Sequence, residues 1–595
     1  MPEYLAPIDD MRFALRELFD TSDLADIPDL RDVDAELEDA ILSEAGKFCA
    51  EVLQPLNTVG DSEGCSWEDG MVTTPTGFKE AYQAFVEGGW TTLSCAPEFG
   101  GQGLPSRVSL LVDEMVCATN IAFGMTPGLT LGAYHAIAAH ASEALKHQYL
   151  PNMASGQWSG TMCLTEPHCG TDLGLLRTRA VPQDDGSYAL TGTKIFISAG
   201  EHDLTENIIH LVLARVPDAP SGVRGISLFV VPKFMLDEAG EAGERNGVVC
   251  GALEKKMGIH ASPTCVMNFD DAKGYLVGTL NEGMRQMFTM MNAARLGVGN
   301  QGIGIAEASY QGAVTYARER LQGRALKGAK YPDKSADPII VHADVRRMLL
   351  TMRAWVEGSR GLATWISTEL DISRRHPDAE RRREADDFVQ LMTPVIKAFC
   401  TDVGFETANL GVQIMGGHGY VSDHGMEQLV RDARIAQIYE GTNGIQALDL
   451  VGRKLGAHTG RYLRGFFHPV QAFIDANVDA LELAEIVPPL AKSFGRLQRA
   501  TAYIAESGLN DPDEAAAAAT DYLRLFGLTA LGYVWARAAV VSRAAKSEGA
   551  SNPLYEDKVA TARFYAQRLL PQSSAAFAAL MAGSASIMEF RDEGF

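Results

Sequence analysis

The sequence has little that would direct the protein to nucleic acid or to the cell exterior. Its 52 lysines and arginines stand against 76 aspartates and glutamates, so the formal net charge is -24. A nucleic-acid-binding chain needs a basic face, and this balance argues against that class. Residues 1–10 lack the basic segment and apolar run of a secretory signal, so we expect a cytoplasmic protein.

Long apolar runs and paired cysteines are also scarce. No stretch approaches the roughly 20 apolar residues that a membrane-spanning helix needs, so we expect no stable membrane insertion. The nine cysteines are scattered and odd in number, which favours reduced thiols over disulfides. His168 and Cys169 are adjacent in sequence, a poor arrangement for two ligands of one ion, and we expect no metal site.

The chain is too long for one hydrophobic core, and its apolar periodicity changes along its length. Helical spacing precedes residue 158, strand-like alternation follows, as at residues 188–197, and helical spacing returns near Gly283. We therefore predict a mostly α protein with a central β domain. The predicted segments are an N-terminal extension packed on a surface (1–33), a helical domain (34–158), a β domain (159–282), a helical bundle (283–457) and an additional helical domain (458–595).

Two segments of the predicted β domain suit a flavin. Residues 162–172 combine a proline and a glycine with hydroxyls, which predicts a loop able to bind a ring edge and a pyrophosphate. The alternative is a capped turn in which Thr171 or Asp172 starts a helix. At residues 194–200 an aromatic residue and a hydroxyl at a strand end can lie against a flavin, although aromatic residues in strands are usually core.

Two further segments lie in the predicted helical bundle. Residues 413–420 have three glycines in four positions, which permits positive φ angles and close approach to a ligand. A helix C-cap followed by a turn is the alternative. Glu440 lies between an amphipathic segment and a Gly/Asn turn, so a loop should present it. Taken alone, a loop glutamate is more often a solvated surface charge.

Residues 297–302 have the glycine spacing of a dinucleotide-binding fingerprint. That fingerprint must follow a strand, whereas residues 287–296 have helical periodicity. We therefore predict a helix here, and not the phosphate-binding loop of a nucleotide-binding domain.

Taken together, these segments resemble the acyl-CoA dehydrogenase family. The family's motifs occur in order as residues 165–172, residues 413–420 and residues 439–442, within a resemblance that covers roughly residues 34–455. The resemblance implies a β-barrel between two helical domains. It also implies that FAD accepts a hydride from Cβ of an acyl-CoA thioester while Glu440 removes the α-proton, which reverses the surface-charge interpretation of this residue.

The resemblance further implies contacts with the cofactor and the substrate. Expected FAD contacts in one subunit are Leu164, Thr165, Thr171, Phe196, Ser198 and Thr442. Expected contacts with the adenosine–pyrophosphate half of the neighbouring subunit's FAD are Arg320, Gln413 and Gly417. Expected substrate contacts are Arg295, near bound CoA, with Tyr439 and Gly441 beside the base. For Arg295, a structural ion pair is the alternative.

Three positions depart from the family pattern. Phe196 replaces the usual tryptophan, Ala199 replaces an asparagine, and Gly444 stands where many relatives carry a polar residue. These departures concern individual flavin contacts and leave the base intact. Some relatives carry the base immediately before the arginine, but this chain has Ala294 there, so Glu440 has no competitor at that position.

The length of the chain resembles a long bacterial subgroup that acts on 3-(methylthio)propionyl-CoA or on a broad range of fatty acyl-CoA thioesters. We therefore expect a homodimer, electron transfer to an electron-transfer flavoprotein, and a short-chain substrate such as 3-(methylthio)propionyl-CoA. A broad-range fatty acyl-CoA dehydrogenase and an acyl-CoA oxidase that uses O2 stay open as alternatives. A flavin-free scaffold is a third, against which the intact residues 439–442 argue.

Overall fold

The computed structural model describes residues 3–595. Along the chain, helices come first, most of the strands follow in the middle, and helices then continue to the end of the described residues. The helices are α1 (Ile8–Arg16), α2 (Ala35–Phe48), α3 (Gln54–Glu63), α4 (Phe78–Glu87), α5 (Ser106–His140), α6 (Glu143–Ala154), α7 (Gly283–Glu319), α8 (Ala343–Arg375), α9 (Ala379–Met415), α10 (Gly417–Tyr420), α11 (Met426–Arg434), α12 (Asn443–Asp449), α13 (Arg461–Asn477), α14 (Val487–Asn510), α15 (Pro512–Ser547), α16 (Pro553–Phe564), α17 (Gln572–Leu580) and α18 (Ala585–Met588). The strands are β1 (Ser66–Glu68), β2 (Met71–Thr73), β3 (Trp158–Cys163), β4 (Arg179–Pro182), β5 (Tyr188–Ser198), β6 (Asn207–Ala214), β7 (Ser227–Pro232), β8 (Phe234–Leu236), β9 (Ala242–Arg245), β10 (Val248–Leu253) and β11 (Thr264–Val277).

The chain divides into two compact units, each assembled from segments that are distant in sequence. Residues 3–46, 106–118 and 298–595 form the first unit, which is helical. Residues 47–105 and 119–297 form the second unit, which holds all the strands named above.

The second unit is organised by a seven-stranded sheet that closes on itself. The strand order is β3-β6-β7-β11-β5-β4, with β10 also paired to β11. A bridge between Arg179 and Arg215, just past β6, returns β4 to β6 and completes a barrel. The strands β6 and β7 are buried along their whole length, as expected of strands covered on both faces.

The N-terminal extension belongs to the core of the first unit, so the expectation that it packs on a surface is corrected. Met11 and Phe13 of α1 are buried. Phe19 stacks on Trp365 of α8 with ring centroids 4.5 Å apart, and Trp365 also contacts Tyr533 of α15. Because aromatic pairs add to the stabilisation from buried area, this cluster joins the extension, the bundle and the C-terminal helices.

Arg360 of α8 lies at the centre of a buried ionic cluster in the first unit. Its side chain is 1% exposed and contacts the carboxylates of Asp10, Glu114 and Glu307, the last two at 2.5 Å. Lys558 of α16 supplies a second cation to Asp10. Although burial opposes ionisation, these two cations hold the pKa of Asp10 below its ordinary value. The cluster therefore depends on every partner being present.

The glycine-rich residues 297–302 lie inside α7, as their periodicity predicts. A Cβ atom on Gly302 would lie 2.5 Å from the carbonyl oxygen of Cys400 in α9. Glycine at this position therefore permits two long helices to pack backbone against backbone, which explains the spacing without a phosphate ligand.

Two helices are more apolar than inspection of the sequence indicated. By length and composition, α5 and α15 could each cross a membrane, so the expectation that no such stretch occurs was wrong. Their most apolar windows are 89% and 83% buried inside the protein, respectively. Because these windows are mostly buried, the apolar composition of α5 and α15 is that of core helices.

Replacing Arg360 by methionine should lower the free energy of unfolding by about 3–5 kcal/mol, because three buried carboxylates lose their shared cation. Arg347→Met is the control, since Arg347 and Asp344 form an exposed pair, 52% and 73% accessible. The control should cost less than about 1 kcal/mol. Urea-denaturation midpoints measure both variants, and equal midpoints would contradict this role for Arg360.

Candidate active site

A bulge in β5 sets the direction of the side chains around Phe196. Between the Lys194–Met267 pair and the Ile197–Cys265 pair, β5 contributes two residues and β11 contributes one. Phe196 lies in this bulge with a left-handed φ of 57°. Because the extra residue shifts the alternation by one, Ile197 is buried while Phe196 is 59% exposed.

Phe196 and Ser198 consequently lie on the same, outward face of the strand. The exposed ring offers a flat apolar surface, and the partly buried serine beside it offers a hydroxyl. A left-handed aromatic residue is strained by roughly 1–2 kcal/mol, and such strain concentrates at ligand sites. This face can therefore hold a planar heteroaromatic ring.

A buried ion pair joins the bulged strand to the loop after β3. Lys194 Nζ lies 2.9 Å from Glu166 Oε1 and also donates to the carbonyl oxygen of Leu164 at 3.0 Å. Glu166 accepts a further hydrogen bond from Thr178 Oγ1 at 2.6 Å. Burial alone would raise the pKa of Glu166, but Lys194 and the other donors hold it at about 2. Sequence reasoning missed this pair, although a lysine within an apolar alternating strand is a usable signal.

The same contacts bring the two candidate flavin segments together. The backbone N–H of Ile195 donates to the carbonyl oxygen of Thr165 at 2.9 Å. Thr165 is partly buried and Thr171 is exposed. Asp172 caps a short 3-10 turn by accepting from the N–H of Gly174 at 2.9 Å, so the capped-turn interpretation also holds in this loop.

Glu166, His168 and Cys169 place ligand-type atoms within 4.8 Å of one another. Lys194 already neutralises the carboxylate, and His168 Nε2 lies 3.0 Å from the carbonyl oxygen of Leu175. A metal ion would have to displace a buried ammonium group, which makes the ion pair the better account of this cluster.

Glu440 lies in a loop, residues 438–442, between the 3-10 turn Ile435–Gln437 and α12. Its φ is 55°, and the φ of Gly441 is 82°, so two consecutive residues are left-handed. Glycine adopts this region freely, whereas glutamate incurs roughly 1–2 kcal/mol of strain. Glu440 is partly buried. A loop therefore presents this carboxylate, as the sequence predicts, on backbone that the surroundings must hold in place.

Tyr439 anchors the loop to α7. Its hydroxyl donates to Gln301 Oε1. Burial raises the pKa of the Tyr439 phenol well above its usual range, so the group stays protonated and remains a donor. Thr442, on the other side of the base, is exposed and donates to the carbonyl oxygen of Gln437 at 3.3 Å.

The residues expected to reach a neighbouring subunit's flavin lie on the surface of the first unit. Arg320, Gln413 and Gly417 are all exposed. A hydrogen bond of 2.9 Å between Tyr316 Oη and His418 Nδ1 joins the end of α7 to the turn that follows α9. The same turn caps α9 through a glycine with positive φ, so the C-cap interpretation holds here too. The FAD contacts of these three residues stay predictions.

Arg295 lies in α7 within the second unit and is buried. Its Nη1 atom lies 3.5 Å from Asn292 Oδ1, and its guanidinium lies 5.8 Å from the centre of the Phe288 ring. A planar cation held against a ring is preorganised for a phosphate or carboxylate ligand. Its expected contact with CoA stays a prediction.

Family models match the chain in four consecutive segments. They are the acyl-CoA dehydrogenase N-terminal domain (35–157), middle domain (161–272) and C-terminal domain (281–455), followed by an acetyl-CoA dehydrogenase C-terminal like domain (466–591). The chain belongs to the acyl-CoA dehydrogenase family, a class of oxidoreductases.

Particular relatives resemble the chain over almost its whole length. The 3-methylmercaptopropionyl-CoA dehydrogenase of Ruegeria pomeroyi is 44% identical over 96% of this chain and 97% of that protein. The broad-specificity linear acyl-CoA dehydrogenase FadE5 of Mycobacterium tuberculosis is 33% identical over 100% of both. The structure of Caenorhabditis elegans ACDH-11 in complex with C11-CoA shares the fold, with a TM-score of 0.77 and 20% identity over 96% of this chain and 92% of that chain.

Ala199→Gly tests the backbone strain beside Phe196, since Ala199 is buried with a φ of 53°. Loss of the methyl group and greater freedom of the unfolded chain should together destabilise the protein by about 1–2 kcal/mol. Relief of the left-handed backbone strain at Ala199, which is of similar size, should offset this loss. Ala180→Gly is the control, an equally buried strand alanine without positive φ, and should cost about 1–2 kcal/mol. Denaturation midpoints compare the two, and an equal loss of stability would argue against strain at Ala199.

Proposed function

We propose that this enzyme oxidises an acyl-CoA thioester to the trans-2-enoyl-CoA, with Glu440 as the base that removes the α-proton. One observation carries the proposal: Glu440, which aligns with the family's base in the sequence motif, is held in a left-handed conformation and is partly buried. Glutamate, unlike aspartate or asparagine, rarely adopts this conformation, and strained residues cluster at functional sites, so the conformation of Glu440 supports a catalytic role.

The proposed reaction breaks two C–H bonds and forms one C=C bond. Glu440 receives the proton from Cα, a hydride leaves Cβ, and the electron pair left on Cα becomes the double bond. Because the α-proton is only weakly acidic, hydrogen-bond donors must stabilise the charge that develops on the thioester oxygen. The backbone N–H of Glu440 is one such donor in this proposal. Bound FAD, the family's cofactor, supplies the hydride acceptor.

We infer that the outward face of β5 holds the flavin ring. The exposed Phe196 and the neighbouring Ser198 fit a planar ring with polar edges. In this proposal the remaining contacts within the subunit come from Leu164, Thr165, Thr171 and Thr442. The exposed Arg320, Gln413 and Gly417 would bind the adenosine–pyrophosphate half of the FAD in the neighbouring subunit of a homodimer.

We propose 3-(methylthio)propionyl-CoA as the substrate and an electron-transfer flavoprotein as the acceptor, in the cytoplasm. The support is 44% identity to the 3-methylmercaptopropionyl-CoA dehydrogenase, against 33% for a broad-specificity relative that also matches over the whole chain. Arg295 would contact CoA, and Tyr439 and Gly441 would contact the thioester beside the base. A broad-range linear acyl-CoA dehydrogenase is the second candidate.

Glu440→Gln should abolish most of the anaerobic bleaching of the flavin by substrate, by about 10³-fold, because a positioned base is lost while side-chain size is kept. FAD content should not change. Glu427→Gln is the control, since Glu427 forms an ion pair with Arg431 at 2.6 Å and carries no proposed chemistry. Bleaching at the wild-type rate in Glu440→Gln would exclude this residue as the base.

The acyl preference should appear as a maximum of kcat/KM at 3-(methylthio)propionyl-CoA and butyryl-CoA, with a fall towards longer chains. Steady-state rates across a series of acyl-CoA lengths measure it. Each substrate is assayed with an electron-transfer flavoprotein and, separately, for peroxide release in air. A flat profile would favour the broad-range alternative, and stoichiometric peroxide would identify an oxidase.

A further inference from the structure

One carboxylate oxygen closes the loop that carries Glu440. Asp402 Oδ1, on α9, accepts a hydrogen bond from Gln437 Nε2 before the loop and another from Asn443 Nδ2 after it, each at 2.7 Å. The two ends of residues 438–442 are thereby tied to a single atom of a long helix. A loop fixed in this way has few conformations available to its central residue.

The amide of Asn443 is oriented by opposite charges on its two sides. Its Oδ1 atom accepts from Lys397 Nζ at 2.9 Å. The two hydrogens of its Nδ2 group are shared among Asp402, Thr401 Oγ1 at 3.0 Å and the carbonyl oxygen of Ala398 at 3.2 Å. Lys397 is completely buried. Hydrogen bonds that run from a cation to an anion reinforce one another in a low-dielectric interior.

Gln446 holds the centre of the same loop. Its Nε2 atom donates at 3.2 Å to the carbonyl oxygen of Glu440 and, also at 3.2 Å, to that of Gly441. Its side chain is fully buried. Left-handed residues leave the regular hydrogen-bonding pattern of a helix, so their carbonyl groups need other donors, and Gln446 provides them.

We propose that Asp402 and Gln446 are positioning residues for the dehydrogenation, which hold Glu440 in the left-handed conformation that presents its carboxylate to the substrate. This inference rests on the proposed role of Glu440. Asp402 fixes the ends of the loop and Gln446 fixes its centre, so the two residues act on the base through different contacts. Neither residue touches the substrate in this proposal.

Asp402→Ala tests the closure of the loop, and Asp402→Asn is its conservative counterpart. The alanine variant should lower kcat about 10- to 100-fold with little change in KM, since a base displaced by about 1 Å loses alignment but not substrate affinity. The kinetic isotope effect for a substrate deuterated at Cα should rise, because proton removal becomes slower. The asparagine variant keeps an acceptor oxygen, so it should retain at least tenfold more activity than the alanine variant.

Gln446→Met provides an independent test by removing the donor to both carbonyl groups while keeping the volume of the side chain. It should likewise lower kcat and raise the isotope effect, with FAD content unchanged. Asn477→Leu is the matched control, since it removes an amide that donates to the carbonyl oxygen of Phe473 at 2.8 Å in a helix without site residues. This control should have the kinetics of the wild type.

The outcomes separate this proposal from the proposed function. Wild-type kcat and isotope effect in both Asp402→Ala and Gln446→Met, with Glu440→Gln inactive, would overturn the positioning roles alone. If Asp402→Ala and Asp402→Asn lost FAD and activity to the same extent, Asp402 would have only a structural role. An active Glu440→Gln variant would end the proposed function itself.

Discussion

Phe196 in the second unit and Glu440 in the first, each within its own unit, rest on left-handed backbone that aromatic residues and glutamate usually avoid. In each case φ is positive, 57° and 55° respectively, which brings Cβ close to a carbonyl oxygen. With an ordinary φ, the ring of Phe196 would no longer lie on the outward face of β5. The carboxylate of Glu440 would likewise point in a different direction from the loop. The flavin and substrate roles proposed above therefore depend on the contacts that hold these two residues.

Each compact unit supplies those contacts with polar groups that are buried or partly buried. In the second unit, the Lys194–Glu166 pair connects the bulged strand to the neighbouring loop. In the first unit, Asp402 and Gln446 fix the loop of Glu440. Apolar residues of similar volume would cost less desolvation, but they would not select one backbone geometry. Retention of the polar groups is consistent with a requirement for one fixed arrangement.

Periodicity and turn chemistry in the sequence were sufficient to predict much of the fold. The helical spacing before residues 297–302 predicted a helix where a motif search would have placed a phosphate loop, and the glycine after Glu440 predicted its loop. The order of the motifs predicted the family. The segment boundaries and the roles of the site residues stay predictions.

The remaining features depend on tertiary pairing that a single sequence does not reveal. The bulge at Phe196 arises from its register with β11, a strand about 70 residues later, and alternation alone would have put this ring on the opposite face. The burial of Asp10 in the N-terminal extension depends on two cations far along the chain, Arg360 and Lys558, which neutralise its carboxylate. Lys397, which lies inside an apolar run, is a sign in the sequence of the buried polar network around Asn443.

The contact between Asp10 and Lys558 has a consequence for biosynthesis, because 548 positions separate the two residues. At roughly 5–20 residues per second, a ribosome needs on the order of a minute to make the intervening chain. During that time the first helix carries a carboxylate whose final cation does not yet exist. The helical unit can complete its ionic cluster only after Lys558 has left the ribosome, whereas most of the barrel unit has by then long emerged. Such long-range closure slows folding and leaves the nascent helices in need of protection from aggregation.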